Sequence, residues 1–376
     1  MKLSTPLLAS ALLTPATAQL HALARKAGLL YFGAATDTPG QRERAPYPDS
    51  YPQYDAIFEN NDEFGQTTPT NGQKWLFAEP EPRLFNFTEG DVVADLARSQ
   101  GKLLRCHALV WHSQLAPWVE ETEWTAEALR GAITRHIRAV AGYYRGRCYA
   151  WDVVNEALDE DGTYRKSIFY NVLGEEYIKL AFATAAEVDP DAKLYYNDYG
   201  IERPDSVKTA GAVRLVKMLQ DAGLRIDGVG MQAHLHADNH PSADDLIATS
   251  EQYAKLVKEV AFTELDVRIK MPVNETKLEW QADCYQKVVE ACVKVKACVG
   301  ITVWDFYDPF SWVPDTFPGQ GASLLWFEDF TKHPAYDRMV DTFKKLIRDK
   351  PGCKDKGKGK GKGKGRGRRT LAARGE

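Results

Sequence analysis

The chain has 376 residues, 44% of them apolar, with nine tryptophans, 17 tyrosines and a formal charge of −4, which permits a sizeable core in one large domain or two ordinary ones. The charge is uneven: residues 354–376 carry ten Lys or Arg against two acids, so an acidic body of about −12 bears a basic tail. An acidic body of this kind argues against nucleic acid as a partner.

Residues 1–18, MKLSTPLLASALLTPATA, combine a basic Lys2, a short apolar region and an Ala16-Thr17-Ala18 ending, the pattern of a secretory signal peptide cleaved ahead of Gln19. Pro6 and Pro15 interrupt the apolar stretch, which is too short to span a bilayer, and no later segment is long enough either. The expectation is a secreted, extracellular protein without a membrane span. Its six cysteines then meet an oxidising environment. Cys292 and Cys298 enclose five residues and suit a local bridge. Cys106 and Cys148 can pair if their strands are neighbours, and the sequence leaves the connectivity open. Secretion also gives meaning to two glycosylation sequons, at Asn86 and Asn274.

From residue 29 onward, short β-branched or aromatic runs recur eight times: 29–36, 64–69, 102–111, 148–154, 193–198, 228–234, 260–267 and 299–306. Helical patterns follow at 88–100, 125–145, 173–187, 205–222, 242–258, 278–296 and 334–348. Residues 37–64, rich in Pro, Tyr, Asp and Glu, read as a long loop after the first strand. Eight strand–helix alternations at this length predict an α/β fold, a single (β/α)8 TIM barrel over residues 19–350. A doubly wound open sheet is the competitor, but no GxGxxG or P-loop follows any strand. The tail 351–376, with KGKGKGKGKGRGRR and no apolar residue in that run, predicts disorder, and its charge suits either a merely solvated tail or contact with anionic polymers.

A barrel places functional side chains where strands end. Polar residues gather there: His107, Trp111, His112, Asn155, Glu156, Asn197, Asp198, Gln232, His234, Glu264, Asp266 and Trp304. Breaking a glycosidic bond needs two carboxyl groups, one to protonate the leaving oxygen and one to meet the developing positive charge. Glu156 follows the apolar run WDVVN, where partial burial and a second carboxylate favour a protonated acid. Glu264 sits in TELD, where His234 can bond it and Asp266 can hold His234, keeping Glu264 ionised as a nucleophile. A metal site built from His107, His234 and Glu264 is set aside, because no closely spaced ligand pair marks these positions.

The motifs WDVVNEAL and FTELDV, with HALVWHSQLAPW, YYNDY, GVGMQAHL and ITVWDFYDPFSW in the same order, resemble glycoside hydrolase family 10 endo-β-1,4-xylanases from about Leu20 to Ile347. WVPDTFPGQGASLLWFED resembles the fungal-type members. The resemblance implies a (β/α)8 barrel, no cofactor, a monomer, and hydrolysis of xylan with retention of configuration. It implies that Glu156 is the acid/base, Glu264 the nucleophile, and Asn155 the amide that holds the sugar 2-hydroxyl. Asn71, Lys74, His107, Trp111, Gln114, Tyr199, Gln232 and His234 match glycone-side positions, and Trp304 and Trp312 match the aromatics over the cleavage site. For retention, the two carboxyl groups are expected about 5–5.5 Å apart. Two departures stand out: Thr70 replaces the glutamate of the family's PENSMKW block, and Cys106 stands where a glycine is common.

Overall fold

The computed structural model describes residues 20–36 and 52–350. The expected signal segment 1–18, residues 37–51 and the basic tail 351–376 with Cys353 lie outside the described residues. Eight strands form the frame: β1 (Tyr31–Thr36), β2 (Gln66–Pro69), β3 (Leu103–Trp111), β4 (Ala150–Asn155), β5 (Lys193–Asp198), β6 (Gly228–Met231), β7 (Glu259–Lys270) and β8 (Cys298–Trp304). Each pairs in parallel with the next, and β8 pairs back onto β1 with Tyr31 beside Gly300, so the sheet closes into a (β/α)8 barrel.

The outer ring comprises helices Thr88–Gln100, Ala126–Tyr143, Glu176–Val188, Val207–Asp221, Ala243–Ala254, Glu275–Lys294 and Pro334–Asp349. Their starts are written in the sequence. Thr125, Ser206 and Asn274 each accept a backbone N–H as N-caps, and Ser242 forms a reciprocal capping box with Asp245. Buried faces of these helices pack on the outward side chains of the strands in one continuous apolar core. The disulfide Cys106–Cys148 ties β3 to the segment just ahead of β4, and Cys292–Cys298 closes the turn into β8. Among the described residues, Cys284 is a buried free thiol. The sequons at Asn86 and Asn274 are both exposed.

The inside of the barrel is polar and layered. At its base Glu259 accepts from the hydroxyls of Tyr149 and Tyr195 at 2.7 and 2.6 Å. Above it Arg105 donates to Asp152 at 2.6 Å and lies 4.4 Å over the Tyr195 ring. Missing Cβ atoms make room for these side chains: a Cβ on Gly228 would sit 2.4 Å from the Tyr195 ring, and one on Gly230 would sit 2.2 Å from Asn197 Oδ1.

One expected strand is divided. The run 228–234 stops at Met231, Ala233 takes φ +62°, and a short strand, His234–His236, resumes against β7. The break has partners of its own: Gln232 N bonds Asp198 O at 2.9 Å, and Ala233 N bonds the buried Glu202 carboxylate at 2.9 Å. This turn brings both Gln232 and His234 to the same cleft.

Candidate active site

Two irregularities in the sheet aim the carboxylates. Strict alternation would turn Asp152 and Asn155 to opposite faces of β4. The β4–β5 register gains one residue between Asp152 and Val154, so Asn155 also faces the barrel axis. On β7 the register with β8 slips between Phe262 and Leu265, and Thr263 and Glu264 both reach the interior web. Glu156 lies one residue beyond β4 with φ +55°, a left-handed conformation that costs a non-glycine residue about 1–2 kcal/mol. Gln114, Ala233 and Asp305, at the same rim, are also left-handed.

Both carboxylates line a single cleft of about 1040 Å³ across the barrel mouth. Glu264 Oε1 accepts from Asn197 Nδ2 at 2.7 Å, and its Oε2 lies 3.2 Å from His234 Nε2. Thr263 fixes the Asn197 amide by donating to its Oδ1 at 2.6 Å, and Asn197 Nδ2 also donates to Asn155 Oδ1 at 2.9 Å. Gln232 Nε2 then spans Asn155 Oδ1 and Glu156 Oε1, at 3.2 and 3.0 Å. The two carboxylates are thus joined by an unbroken chain of amides: Glu264, Asn197, Asn155, Gln232, Glu156. Asn155 Nδ2 faces Glu156 Oε1 at 3.3 Å.

His234 is held on both sides. Its Nδ1 lies 2.8 Å from Asp266 Oδ2, which also accepts from Trp312 Nε1 at 2.8 Å. Burial alone would discharge the ring, but the Asp266 carboxylate and then Glu264 outweigh it and push the His234 pKa up to about 10. His107 Nδ1 bonds Asp152 at 3.0 Å and lies 3.9 Å from Glu264 Oε1, so the polar floor of the barrel reaches the site. Burial pulls Arg105 down, yet the Asp152 charge wins and raises it.

On the Glu156 side, Arg165 donates to the Glu156 carbonyl at 3.0 Å and to Tyr199 OH at 2.9 Å, and Lys208 Nζ lies 3.3 Å over the Tyr199 ring. Lys208 also pairs with Asp198 at 3.2 Å. Burial raises Asp198 to about 7, Lys208 opposing and the Glu156 charge reinforcing. His112 Nδ1 stands 3.9 Å from Glu156 Oε2, and burial lowers its pKa against the pull of that carboxylate.

At the other end Lys74 Nζ donates to Gln114 at 2.6 Å and Asn71 at 3.1 Å, and lies 4.6 Å from the Trp111 ring centre. Gln114 Nε2 donates to Asn71 Oδ1 at 3.1 Å. Thr70 lines the cleft beside them. Among the described residues, Trp111 Nε1 and Gln232 Oε1 are buried at the cleft without a protein partner. Trp304 lies nearly perpendicular to the rings of His107 and His234, with ring centres at 5.3 and 6.4 Å.

Glu156, Glu264, His234, Asn71, Lys74, His107, Trp111, Gln114, Asn155, Tyr199, Gln232, Trp304 and Trp312 all line this cleft, and Asp266 backs it. Sequence reasoning gave no role to Asn197, Asp152 or His112. The first two were detectable as polar residues on inward strand positions. His112 is adjacent to Trp111 and close to Glu156 only in space. Trp312 walls the cleft and also donates to Asp266.

The sequence matches the model of Glycosyl hydrolase family 10 over residues 19–342. It is 66% identical over 338 residues to Endo-1,4-beta-xylanase A of Humicola insolens, covering 90% of each chain. It is 47% identical to Endo-1,4-beta-xylanase D of Talaromyces funiculosus over 321 residues, 85% of this chain and 76% of the other. Among solved structures, the endo-1,4-beta-xylanase XylE of Penicillium canescens superposes with a TM-score of 0.82 at 39% identity, covering 87% of this chain and 98% of that one. A Bispora xylanase solved with xylobiose superposes with a TM-score of 0.81 at 39% identity, covering 86% and 99%.

Proposed function

We propose that this chain, which belongs to glycosyl hydrolase family 10 and is an endo-1,4-β-xylanase, works with retention of configuration through Glu156 and Glu264. The observation that supports the assignment is the amide chain from Glu264 through Asn197, Asn155 and Gln232 to Glu156, which sets two carboxylates around one cleft.

In this reading a xylan chain lies across the barrel mouth, with its glycone end among Asn71, Lys74, Gln114, His107 and Trp111. Glu156 gives its proton to the glycosidic oxygen while Glu264 attacks the anomeric carbon. The C–O bond breaks, the shortened chain leaves as an alcohol, and a covalent glycosyl–Glu264 ester remains. Glu156, now a carboxylate, takes a proton from water, which attacks the same carbon and releases Glu264. Asn197 and His234 hold the nucleophile and neutralise it when it departs. Asn155 offers its amide N–H to the 2-hydroxyl, a bond that strengthens in the transition state. Thr70 puts a hydroxyl, without charge, at the glycone end.

Linear xylan digested in the presence of an NMR probe tests this. Newly formed reducing ends should appear first as the β-anomer. Initial α-anomer would remove Glu264 as a nucleophile, and faster cleavage of carboxymethylcellulose than of xylan would change the substrate class.

The same reading takes residues 1–18 as a secretion signal and the body as a monomer. Secreted protein should begin at Gln19 on N-terminal sequencing. The basic tail is proposed to adhere to anionic polymers, and deletion of residues 354–376 should weaken retention on acidic polysaccharide. Unaltered retention would remove that role.

A further inference from the structure

Glu156 sits past the end of β4 in a left-handed backbone, and such a residue persists only where its surroundings over-determine it. Its N–H donates to Asn197 O at 2.9 Å, and its carbonyl accepts from Arg165 Nε at 3.0 Å. Arg165 folds the segment 156–165 back on itself by donating to Leu158 O at 2.9 Å, and its far end rests on the Tyr199 hydroxyl at 2.9 Å. The segment is therefore only as fixed as Tyr199 is. Tyr199 lies one residue past β5, where its N–H donates to Asp198 Oδ1 at 2.9 Å. Its ring is covered by a cation that comes from the outer layer of helices.

That cation is Lys208, the second residue of the helix Val207–Asp221. It stands behind the residues that line the cleft and is 2% exposed. A buried ammonium is costly unless several partners share it. Lys208 Nζ lies 3.3 Å over the Tyr199 ring, 3.2 Å from Asp198 Oδ1 and 3.4 Å from Glu160 Oε1. Burial opposes its charge, but Asp198, Tyr199 and Glu160 outweigh burial. Two routes lead from this point to Glu156. One passes through Tyr199 and Arg165 to the Glu156 carbonyl. The other passes through Asp198, whose carbonyl accepts from Gln232 N at 2.9 Å, and Gln232 Nε2 donates to Glu156 Oε1 at 3.0 Å. Glu160 belongs to the same segment as Glu156, so the lysine also ties that segment to the end of β5 directly.

We propose that Lys208 is a positioning residue for the acid/base: from behind the cleft wall it fixes Tyr199 and Asp198, and through them the backbone and one carboxylate oxygen of Glu156. This rests on the proposed role of Glu156, and the test separates the two. Proton transfer to a leaving oxygen depends on placement, where an error of about 1 Å costs on the order of 10²-fold. Attack by Glu264 on a substrate whose leaving group needs no proton does not depend on Glu156. Aryl xylobiosides divide these demands, since a dinitrophenolate leaves unaided and a phenolate needs the proton.

The ratio of kcat/KM on the dinitrophenyl substrate to that on the phenyl substrate should rise about tenfold in Lys208→Met. In Lys208→Arg, which keeps a cation over the ring, the ratio should stay within about twofold of the unaltered chain. Equal proportional losses on both substrates in Lys208→Met would mark a merely structural lysine and overturn the proposal. A rise that persists undiminished in Lys208→Arg would overturn it as well. Burial lifts Asp198 to about 7 even against Lys208, so in Lys208→Met this acid takes up a proton rather than standing as a bare buried charge. If that variant nevertheless fails to fold, Lys208→Gln replaces it: the ratio should rise about threefold, and an unchanged ratio would overturn the proposal. Glu156→Ala should raise the ratio further than Lys208→Met does. A ratio unmoved in Glu156→Ala would instead strike the acid/base reading.

Discussion

The two carboxylates of the cleft are held in opposite ways. Glu264 lies within a strand, is 5% exposed, and is gripped by groups that are themselves fixed: Asn197 by Thr263, His234 by Asp266, and Asp266 by Trp312. Glu156 lies past its strand end in a left-handed backbone, contacted on one oxygen by two amides, with its other oxygen 3.9 Å from a histidine. A nucleophile must meet one atom in one geometry, and its charge must persist until the bond forms. An acid/base must give up a proton and take one back, so it is better served by a looser setting. On the proposed roles, the β7 side holds a charge and the β4 side exchanges a proton.

The largest test of that division is removal of each carboxylate. Glu264→Ala should lower kcat on xylan by about 10⁴ or more while leaving xylan binding measurable, because the covalent step disappears. Release at an undiminished rate would refute the assignment. Glu156→Ala should lower kcat on xylan by about 10²–10⁴. On an aryl xylobioside with an acidic phenol, however, it should show a burst of phenol followed by a slow phase, since the first step no longer needs an acid and the second still needs a base. A missing burst would mean that Glu156 serves some other end.

The next test weakens the grip on the nucleophile without touching it. His234 has a pKa raised to about 10, so its protonated form stabilises the folded state fully below the unfolded value of 6.5, and this contribution is lost as pH rises through about 10. Asp266→Asn removes the largest cause of the rise. The loss should then begin at lower pH, and kcat/KM should drop about 10–100-fold, the usual cost of losing a hydrogen bond to a buried charge. Melting temperature and kcat/KM measured from pH 6 to 10 report both. An alkaline limb identical to that of the unaltered chain would show that Asp266 does not set the charge of His234.

How much of this was legible beforehand follows the same division. Eight strand-like runs, with polar residues at their ends, pointed to a closed barrel and to the rim, because burial on both faces makes parallel strands apolar until they surface. Glu156 and Glu264 were legible from their motifs, His234 from its place at the end of the sixth strand run, and Asp266 from its spacing two residues past Glu264. The slips of register were not legible. Nothing in WDVVNE announces that Asn155 and Asp152 share a face, since the extra residue exists only relative to β5. Nor did GVGMQAH reveal its break, because Ala233 is an ordinary strand residue whose left-handed turn is held by the distant Glu202. The roles of Asn197 and Asp152 were hidden for a related reason. Each is defined by a partner on another strand, Glu264 for Asn197 and His107 for Asp152.

The smallest effect is expected at His112, and it sharpens the contrast most closely. At 3.9 Å from Glu156 Oε2, a charged imidazole would steady the carboxylate and oppose its reprotonation, making the β4 side resemble the β7 side. Burial instead lowers the His112 pKa and prevails over the attraction of Glu156, so the ring is neutral through the neutral range. The sign for stability is opposite to that of His234. A base with a depressed pKa costs stability as pH falls below about 6.5, where the unfolded chain binds the proton first. His112→Gln should therefore move the alkaline limb of kcat/KM by less than about half a pH unit, a change no larger than that expected from losing a weak exposed pair. It should slightly raise the melting temperature at pH 5 relative to pH 7. A shift of a full unit would mean that a positive histidine governs Glu156, and the two carboxylates would then be held by the same device after all.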